Sequence, residues 1–300
     1  MTVGDLRSLA CGLNYPILIK PRTHIHRVRN DKGVVIHSAD ELVREYQLFL
    51  AREQTSVLAD NPLIVDARRP LLQKFVDVSR QGVLSVTGFI DRKHELFVTR
   101  HSIKVFQRSY PVGVGVCFVS APPVDFLLNS IRRLCVNLRY FGIFEIEFVH
   151  YNGQWAVIDF NPRLFNQIAL DIRRGMPLPL LACLDAANET AALREAVARA
   201  QAWQESDDPV LYDWFTLNAI LLARMTSPRT AWGHLRYWRE WLREHAGRAI
   251  DIAQDANDPI PGLIHVFSEI CLGLKAIPRF LRSTSRTSSP TKQLPARVPS

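Results

Sequence analysis

The chain of 300 residues has few cysteines, and their spacing suggests no pairing. The five cysteines are far apart, odd in number and form no C-x-x-C pair. The sequence therefore predicts neither a zinc site nor a disulfide framework, and a reducing compartment suits it best. The N-terminus lacks a basic segment followed by a clean apolar run, and no apolar run elsewhere is long enough to span a bilayer. We expect a soluble, cytoplasmic protein. For LIHVFSEICLGLKAIPRFLR, Glu269 and Pro278 favour a core or capping helix over the weaker alternative, association with a membrane surface together with the basic tail.

The chain also lacks clustered charge of one sign. Its net charge is +8, but lysines and arginines are scattered along the sequence. Charge alone therefore gives weak support for an anionic partner, and we expect no nucleic-acid binding. Hydrophobic residues make up 47% of the sequence, which is enough for a large core and for one to about three domains. No internal repeat and no Ser-His-Asp set is visible.

The first two-thirds of the chain mix strand and helix patterns, which predicts an α+β fold. Ser38 and Glu41 form a capping box that begins a helix in SADELVREYQLFLARE. A β-hairpin is predicted around the Asn152-Gly153 turn, between IFEIEFVHY and QWAVIDFN. A second helix is predicted in VDFLLNSIRRLCVNLRYFG, with one apolar stripe made of Phe126, Leu127, Ile131, Leu134 and Leu138.

The last third of the chain changes character. Helical spacing continues from PLPLLACLDAANETAALREAVARAQAW through LYDWFTLNAILLARM to AWGHLRYWREWLREH. The prolines and glycine of ANDPIPGLIHVF are expected to break these helices. The tail from Ser283 is rich in Ser, Thr, Pro and Arg, which predicts disorder.

The hairpin carries the most informative polar residues. Asp159, Asn161 and Arg163 alternate at the end of its second strand, and Glu147 precedes Asp159 by 12 residues across the turn. Alternate residues share one face of a strand, so these side chains are expected to lie together. Carboxylate and amide oxygens are the ligands that Mg²⁺ prefers, usually with substrate phosphates, and an arginine beside them suits an anion.

Two interpretations of this face stay open on the residues alone. It is either a metal site or the solvated face of an ordinary hairpin. Trp155 and Val157, with the nearby Ile143, have the same parity as Asp159, so we expect a face that is not uniformly polar. Glu145 shares the parity of Glu147 and is either a supporting residue of the metal shell or a surface acid.

The order of several motifs resembles the ATP-grasp superfamily, in its carboxylate-amine ligase (carboligase) branch. DFNPR, with Glu147 upstream, is similar to the family's metal-binding signature, and YPILIKP is similar to its strand ending in a nucleotide-binding lysine. LLQKFV resembles the hinge that holds adenine, and RSYPVGVGV, preceded by Arg100 and Lys104, resembles its basic strands. The resemblance covers roughly residues 10 to 185.

The resemblance implies an ATP-grasp fold, in which two α+β subdomains sandwich ATP, followed by a mostly helical C-terminal region. The implied boundaries are residues 1–76 for the subdomain with the lysine and hinge, 77–185 for the subdomain with the metal site, 186–282 for the helical region and 283–300 for a disordered basic tail. The implied cofactors are ATP and Mg²⁺ or Mn²⁺. The implied reaction activates a carboxylate as an acyl phosphate for attack by an amine or similar nucleophile.

The resemblance also implies a role for each matching residue. Glu147, Asp159 and Asn161 would hold the metal, and Arg163 would act as the catalytic residue that stabilises the transferred phosphoryl group. The nucleotide would contact Lys20, Gln73, Lys74, Val76, Arg100 and Lys104. The alternatives without a binding role are an ordinary strand-end lysine for Lys20 and basic residues on an exposed strand edge for Arg100 and Lys104.

Three departures from the family pattern qualify this expectation. Asp159 stands where the family usually has Glu, and the basic loop RTHIHRVRNDKG, which includes His24 and His26, replaces a Gly-rich lid. The resemblance also begins near residue 10, which leaves no room for the usual N-terminal domain. The chain is then a truncated member, a split enzyme that needs a partner chain to supply that domain, or a degenerate copy. The alternative hypothesis is a truncated or degenerate ATP-grasp module that binds nucleotide or a partner chain without turnover.

Overall fold

The structure is a computed structural model of the chain. It describes residues 3–21, 33–54, 70–78, 82–108, 112–203, 210–213 and 247–283, with a few positions between 236 and 245. The basic loop with His24 and His26, most of LYDWFTLNAILLARM and of AWGHLRYWREWLREH, and nearly all of the tail lie outside the described residues. The chain divides into two compact units, Met1–Asp77 with Ser109–Val114, and Val78–Arg108 with Gly115–Ser300.

The first unit is a three-stranded antiparallel sheet with two helices. Its elements are α1 (Val3–Cys11), β1 (Ile17–Lys20), β2 (Val34–Ile36), α2 (Ala39–Gln54) and β3 (Leu71–Lys74), and the strand order is β2-β1-β3. The buried core joins the helices to one sheet face through Ala10, Ile17, Ile19, Ile36 and Leu42.

The predicted capping box begins helix α2. The Glu41 backbone N–H donates to Ser38 Oγ (3.2 Å), and Glu41 Oε2 accepts from the His37 backbone N–H (2.8 Å). Two backbone donors at the start of the helix are thereby satisfied, which is how a capping box stabilises a helix end. The prediction is confirmed, with His37 rather than Ser38 as the residue that Glu41 contacts.

The second unit is built on a seven-stranded sheet of order β10-β9-β6-β5-β4-β7-β8. Its strands are β4 (Val83–Ile90), β5 (Phe97–Arg108), β6 (Val114–Ser120), β7 (Gly142–Tyr151), β8 (Gln154–Asn161), β9 (Val210–Tyr212) and β10 (Ala249–Asp251). Its helices are α3 (Asp125–Asn137), α4 (Ile168–Arg173), α5 (Leu178–Ala186), α6 (Thr190–Ala202) and α7 (Ile260–Ser283). Together with the first unit, these elements confirm the predicted α+β class.

Helix α3 covers one face of this sheet through a different stripe from the predicted one. Its buried residues are Leu127, Ile131 and Cys135, which join an apolar core with strand residues such as Val86 and Ile146. The prediction was wrong for Phe126, Leu134 and Leu138, which are exposed. The strongly apolar run allowed more than one stripe, and packing against the sheet selects the one spaced by four residues.

The C-terminal region is not wholly helical. Leu211 and Tyr212 were expected in a helix, but Val210–Tyr212 forms β9, which pairs antiparallel with Cys117–Val119 of β6. A short apolar run does not distinguish a strand from a helix, and here pairing with β6 buries Val210 and Leu211.

Pro261 and Gly262 were expected to break a helix, but both lie in the first turn of α7. Proline is tolerated there because the first N–H groups of a helix have no partner within it. Within the described ranges, no helix combines the length and the apolarity that crossing a membrane requires.

Candidate functional site

The β7-β8 hairpin places the predicted metal ligands on one face. Glu147 pairs directly with Asp159, and Glu145 pairs with Asn161. The turn forms because Asn152 and Gly153 both take positive φ values (50° and 77°), as a two-residue hairpin turn of this kind requires. Directly paired residues of antiparallel strands have neighbouring side chains, so the two carboxylates lie side by side as predicted.

A β-bulge changes which residues share this face. The register shifts between Glu147 and Phe148, so that Phe148 pairs with Val157 instead of Ile158. One extra residue on β8 reverses the alternation beyond it. The predicted parity was therefore wrong for Trp155, which packs against the apolar core under α3, and for Val157, which lies across from Phe148.

Lys104 forms a buried ion pair with Glu147. Its ammonium group donates to Glu147 Oε1, and the two side chains are only 6% and 10% exposed. Burial acts to lower the pKa of Lys104, but the carboxylates of Glu147, Glu145 and Asp159 together outweigh it, and the pKa is raised. The lysine predicted to contact ATP and the glutamate predicted to bind metal are thus in direct contact.

Glu145 is the centre of a buried hydrogen-bond network beside this pair. Ser85 Oγ donates to Glu145 Oε1 (2.7 Å), and Gln167 Nε2 donates to the same oxygen and to Ser85 Oγ. Asn161 Nδ2 donates to Glu145 Oε2 (3.1 Å), and Arg163 donates to Asn161 Oδ1 (3.2 Å). The network therefore fixes the orientation of the Asn161 amide.

Ser85 and Gln167 were not among the site residues predicted from the sequence. The sequence contains a pattern that could have identified Ser85, because Ser85 and Thr87 are alternating polar residues in the otherwise apolar strand VLSVTGFI.

Burial and the charge of Glu147 raise the pKa of Glu145, while its hydrogen bonds from Gln167 and Ser85 oppose that rise. Glu145 is buried and is not a surface acid.

In the first unit, Lys20 and Gln73 share a sheet face. Gln73 pairs with Leu18, and Lys20 lies two residues further along β1, so both side chains lie on the face opposite the apolar core. Lys74 lies on the other face and donates to the carbonyls of Asn14 (3.3 Å) and Tyr15 (3.4 Å). Val76 follows β3 and is half-buried. Their contacts with ATP stay predictions.

Arg100 contacts backbone carbonyls and an aromatic ring. Its guanidinium donates to the carbonyls of Arg174 (3.1 and 3.2 Å) and Ala200 (2.6 Å), and it lies 5.6 Å from the ring centre of Trp203. Arg100 pairs with Thr87, which pairs with Glu145, so it lies in the same row of the sheet as Asn161. Its contact with phosphate stays a prediction.

The hairpin residues fit a divalent metal in chemical type. Glu147, Asp159 and Asn161 offer hard oxygen donors on one face, and Mg²⁺ commonly takes one or two carboxylates and completes its shell with phosphate oxygens and water. No group of three or more His, Cys, Asp or Glu side chains within the described residues is arranged to hold a metal ion. The fit is therefore to a metal that arrives with phosphate, and the ligand roles stay predictions.

Similarity to known proteins is found in two sequence matches. The chain is 25% identical over 185 residues to the arginine-specific large chain of carbamoyl phosphate synthase from Halalkalibacterium halodurans, and 27% identical over 156 residues to the carbamoyl phosphate synthase large chain of Lachnoclostridium phytofermentans. These proteins are ATP-grasp ligases. The predicted resemblance to the ATP-grasp superfamily is confirmed. The matches cover 60% and 50% of this chain but only 16% and 13% of the two relatives.

Similar solved structures include two biotin carboxylases. The biotin carboxylase domain of 2-oxoglutarate carboxylase from Hydrogenobacter thermophilus has a TM-score of 0.46 and 14% identity, covering 67% of this chain and 40% of that one. The biotin carboxylase of Campylobacter jejuni has a TM-score of 0.45 and 14% identity, covering 66% and 40%. TM-scores below 0.5 do not establish a shared fold, so the superfamily resemblance rests on the sequence matches. No model of a known protein family matches the chain.

Proposed function

We propose that the chain is the nucleotide-binding part of an ATP- and Mg²⁺-dependent ligase that activates a carboxylate as an acyl phosphate for attack by an amine or similar nucleophile. The observation that carries the proposal is the in-register pair of Glu147 and Asp159, with Asn161 on the same sheet face. The sequence similarity to two carbamoyl phosphate synthase large chains supports the superfamily chemistry.

Each residue has a proposed task that follows from its charge and contacts. Glu147, Asp159 and Asn161 would hold Mg²⁺ or Mn²⁺, which neutralises phosphate charge when bound with ATP. Arg163 is exposed next to Asn161 and would donate hydrogen bonds to the transferred phosphoryl group. Lys104 would release Glu147 for the metal and contact a phosphate oxygen, so that the buried charge of Lys104 keeps an anionic partner.

In the first unit, Lys20 would contact the α- and β-phosphates as a point charge, and Gln73 shares its sheet face. Backbone groups of Lys74 and Val76 would hold the adenine edge, so their side chains matter little. Arg100 would contribute positive charge. Phosphoryl transfer depends on positioning and charge neutralisation more than on a protein nucleophile.

The second candidate is a module that binds nucleotide or a partner chain without turnover. The Lys104–Glu147 pair favours it, because a metal ligand already neutralised by a lysine needs no metal to be stable.

Release of ADP by the purified chain distinguishes the two candidates. The measurement uses Mg²⁺, ATP and pooled carboxylates and amines, with Arg163→Gln compared with Arg173→Gln, an exposed arginine of α4. The ligase proposal predicts carboxylate-dependent ADP release that Arg163→Gln reduces at least about tenfold, the effect of losing about 1.4 kcal/mol of transition-state stabilisation. Mg-ATP binding without any carboxylate-dependent release would support the second candidate instead.

A further inference from the structure

Gln167 is a buried side chain to which the proposed function gives no task. It directly precedes α4, but its side chain makes no capping hydrogen bond to that helix. It is only 1% exposed, and it reaches Ser85 on β4 and Glu145 on β7 instead. Buried amide groups are normally hydrogen-bonded, and here both hydrogens of the amide are used on strands of the sheet.

The donors and acceptors of this network fit together in one arrangement. The Gln167 amide nitrogen carries two hydrogens, and it donates to Ser85 Oγ (2.7 Å) and to Glu145 Oε1. Ser85 Oγ uses its single hydrogen to donate to the same Glu145 Oε1 (2.7 Å). The reverse orientation of the Gln167 amide would place its oxygen against a carboxylate oxygen, with no hydrogen between them. Two donors therefore hold Glu145 as an acceptor.

The other oxygen of Glu145 determines how Asn161 is turned. Asn161 Nδ2 donates to Glu145 Oε2 (3.1 Å), so its Oδ1 faces away from Glu145, where Arg163 donates to it (3.2 Å). A hard cation such as Mg²⁺ is coordinated by the oxygen of an amide, because the amide nitrogen is a hydrogen-bond donor. If the Asn161 amide turned over, it would present hydrogens at the position where the metal needs an oxygen.

Gln167 and Ser85 together fix the orientation of the Glu145 carboxylate. Glu145 is 5% exposed and lies two residues from Glu147 on the same face of β7. The two hydrogen bonds to Oε1 keep Oε2 directed at Asn161. Without the donor from Gln167, the carboxylate is held on that side by Ser85 alone. Removal of a side chain that orients a metal ligand typically lowers metal affinity about 10–100-fold.

We propose that Gln167 is a positioning residue of the metal site. Through Glu145 it holds Asn161 with Oδ1 toward the metal, and its own side chain is too buried to contact the metal or the nucleotide. The inference rests on the proposed function, because Asn161 is a metal ligand only in that proposal. It adds to the site a residue that lies outside the hairpin.

Titration calorimetry of the full chain with ATP, with and without Mg²⁺, tests the inference in Gln167→Met. Methionine is similar in length and flexible, so the substitution removes both donors while filling the same space. We expect it to weaken ATP binding in the presence of Mg²⁺ about tenfold, and to leave ATP binding without Mg²⁺ within about twofold. A residue that only stabilises the fold would lower the free energy of unfolding without changing the ratio of these two affinities. An unchanged ratio in Gln167→Met would overturn the inference.

Two further variants make the test specific. Ser85→Ala removes one of the two donors to Glu145 Oε1 and is expected to lower the affinity ratio about threefold. Gln201→Met is the matched control, at an exposed glutamine of α6 that donates to the Phe97 carbonyl (3.1 Å), and should keep the ratio within about twofold. Circular dichroism checks folding. If Gln167→Met does not fold, Ser85→Ala decides, and an unchanged ratio there overturns the inference, as does an equal reduction in Gln201→Met.

Asp159→Asn separates failure of this inference from failure of the proposed function. If Mg²⁺ does not strengthen ATP binding in the wild-type chain, or strengthens it equally in Asp159→Asn, the metal site is wrong and the inference fails with it. If Asp159→Asn loses the strengthening and Gln167→Met keeps it, only the role of Gln167 is wrong.

Discussion

The buried Lys104–Glu147 pair allows a quantitative prediction. Lys104→Met removes the ammonium group and leaves the Glu147 carboxylate, whose side chain is 10% exposed, without its closest cation. Breaking a buried ion pair from one side typically costs about 3–5 kcal/mol, because the remaining charge is desolvated without compensation. We expect Lys104→Met to lower the free energy of unfolding of the second unit by an amount in this range.

A double-mutant cycle separates the pair from the side chains themselves. Glu147→Gln in the Lys104→Met background removes the uncompensated charge, so the double variant should be at least about 1 kcal/mol more stable than the sum of the single effects predicts. Urea unfolding at pH 7, followed by circular dichroism and tryptophan fluorescence, measures all four proteins.

A surface pair provides the control for this cycle. Arg199 and Glu195 of α6 form an ion pair of 2.7 Å, with side chains 67% and 69% exposed. The cycle of Arg199→Met and Glu195→Gln should show a coupling below about 0.5 kcal/mol, because solvent screens an exposed pair. Additive effects at Lys104 and Glu147, no larger than those of the surface pair, would refute the reasoning.

Two further predictions concern stability. Burial and the charge of Arg174 lower the pKa of His101 to about 4. As pH falls, the unfolded chain therefore binds a proton at this histidine near pH 6.5, whereas the folded chain binds it only near pH 4. The folded state should therefore lose up to about 3 kcal/mol as pH falls through that window. Urea unfolding at pH 6.5 and 4.5 should show a smaller loss for His101→Gln than for the exposed-site control His150→Gln, and equal losses would contradict this. Ser38→Ala should destabilise the first unit by about 1 kcal/mol by removing the cap, and Ser38→Asn should restore most of it.

Much of the hairpin site could be predicted from the sequence because its signals are local. The Asn152-Gly153 turn and the alternation on both strands fix which residues pair, so Glu147 and Asp159 could be placed side by side. The bulge beside Glu147 could not be predicted, because one extra residue leaves the hydrophobic pattern almost unchanged. That is why Trp155 was assigned to the wrong face.

The rest of the site depends on contacts between distant segments. Lys104 is on β5 and Glu147 is on β7, with β4 between them, so only the strand order brings them together. Gln167 reaches Ser85 across 82 residues of sequence. Strand β9 depends on pairing with β6 and has only three residues, too few for a periodic pattern. These features follow from tertiary packing, which outweighs local propensity.

Magnesium-dependent ATP binding by the hairpin residues tests the central claim most directly. Titration calorimetry with ATP, with and without Mg²⁺, should show binding that Mg²⁺ strengthens in the wild-type chain. Asp159→Asn and Glu147→Gln should each remove most of that strengthening, because each replaces a charged oxygen ligand with a neutral amide. Glu195→Gln, at an exposed acid on α6, should bind like the wild type. If Mg²⁺ strengthens ATP binding equally in all four proteins, these carboxylates are not the metal site and the account is wrong.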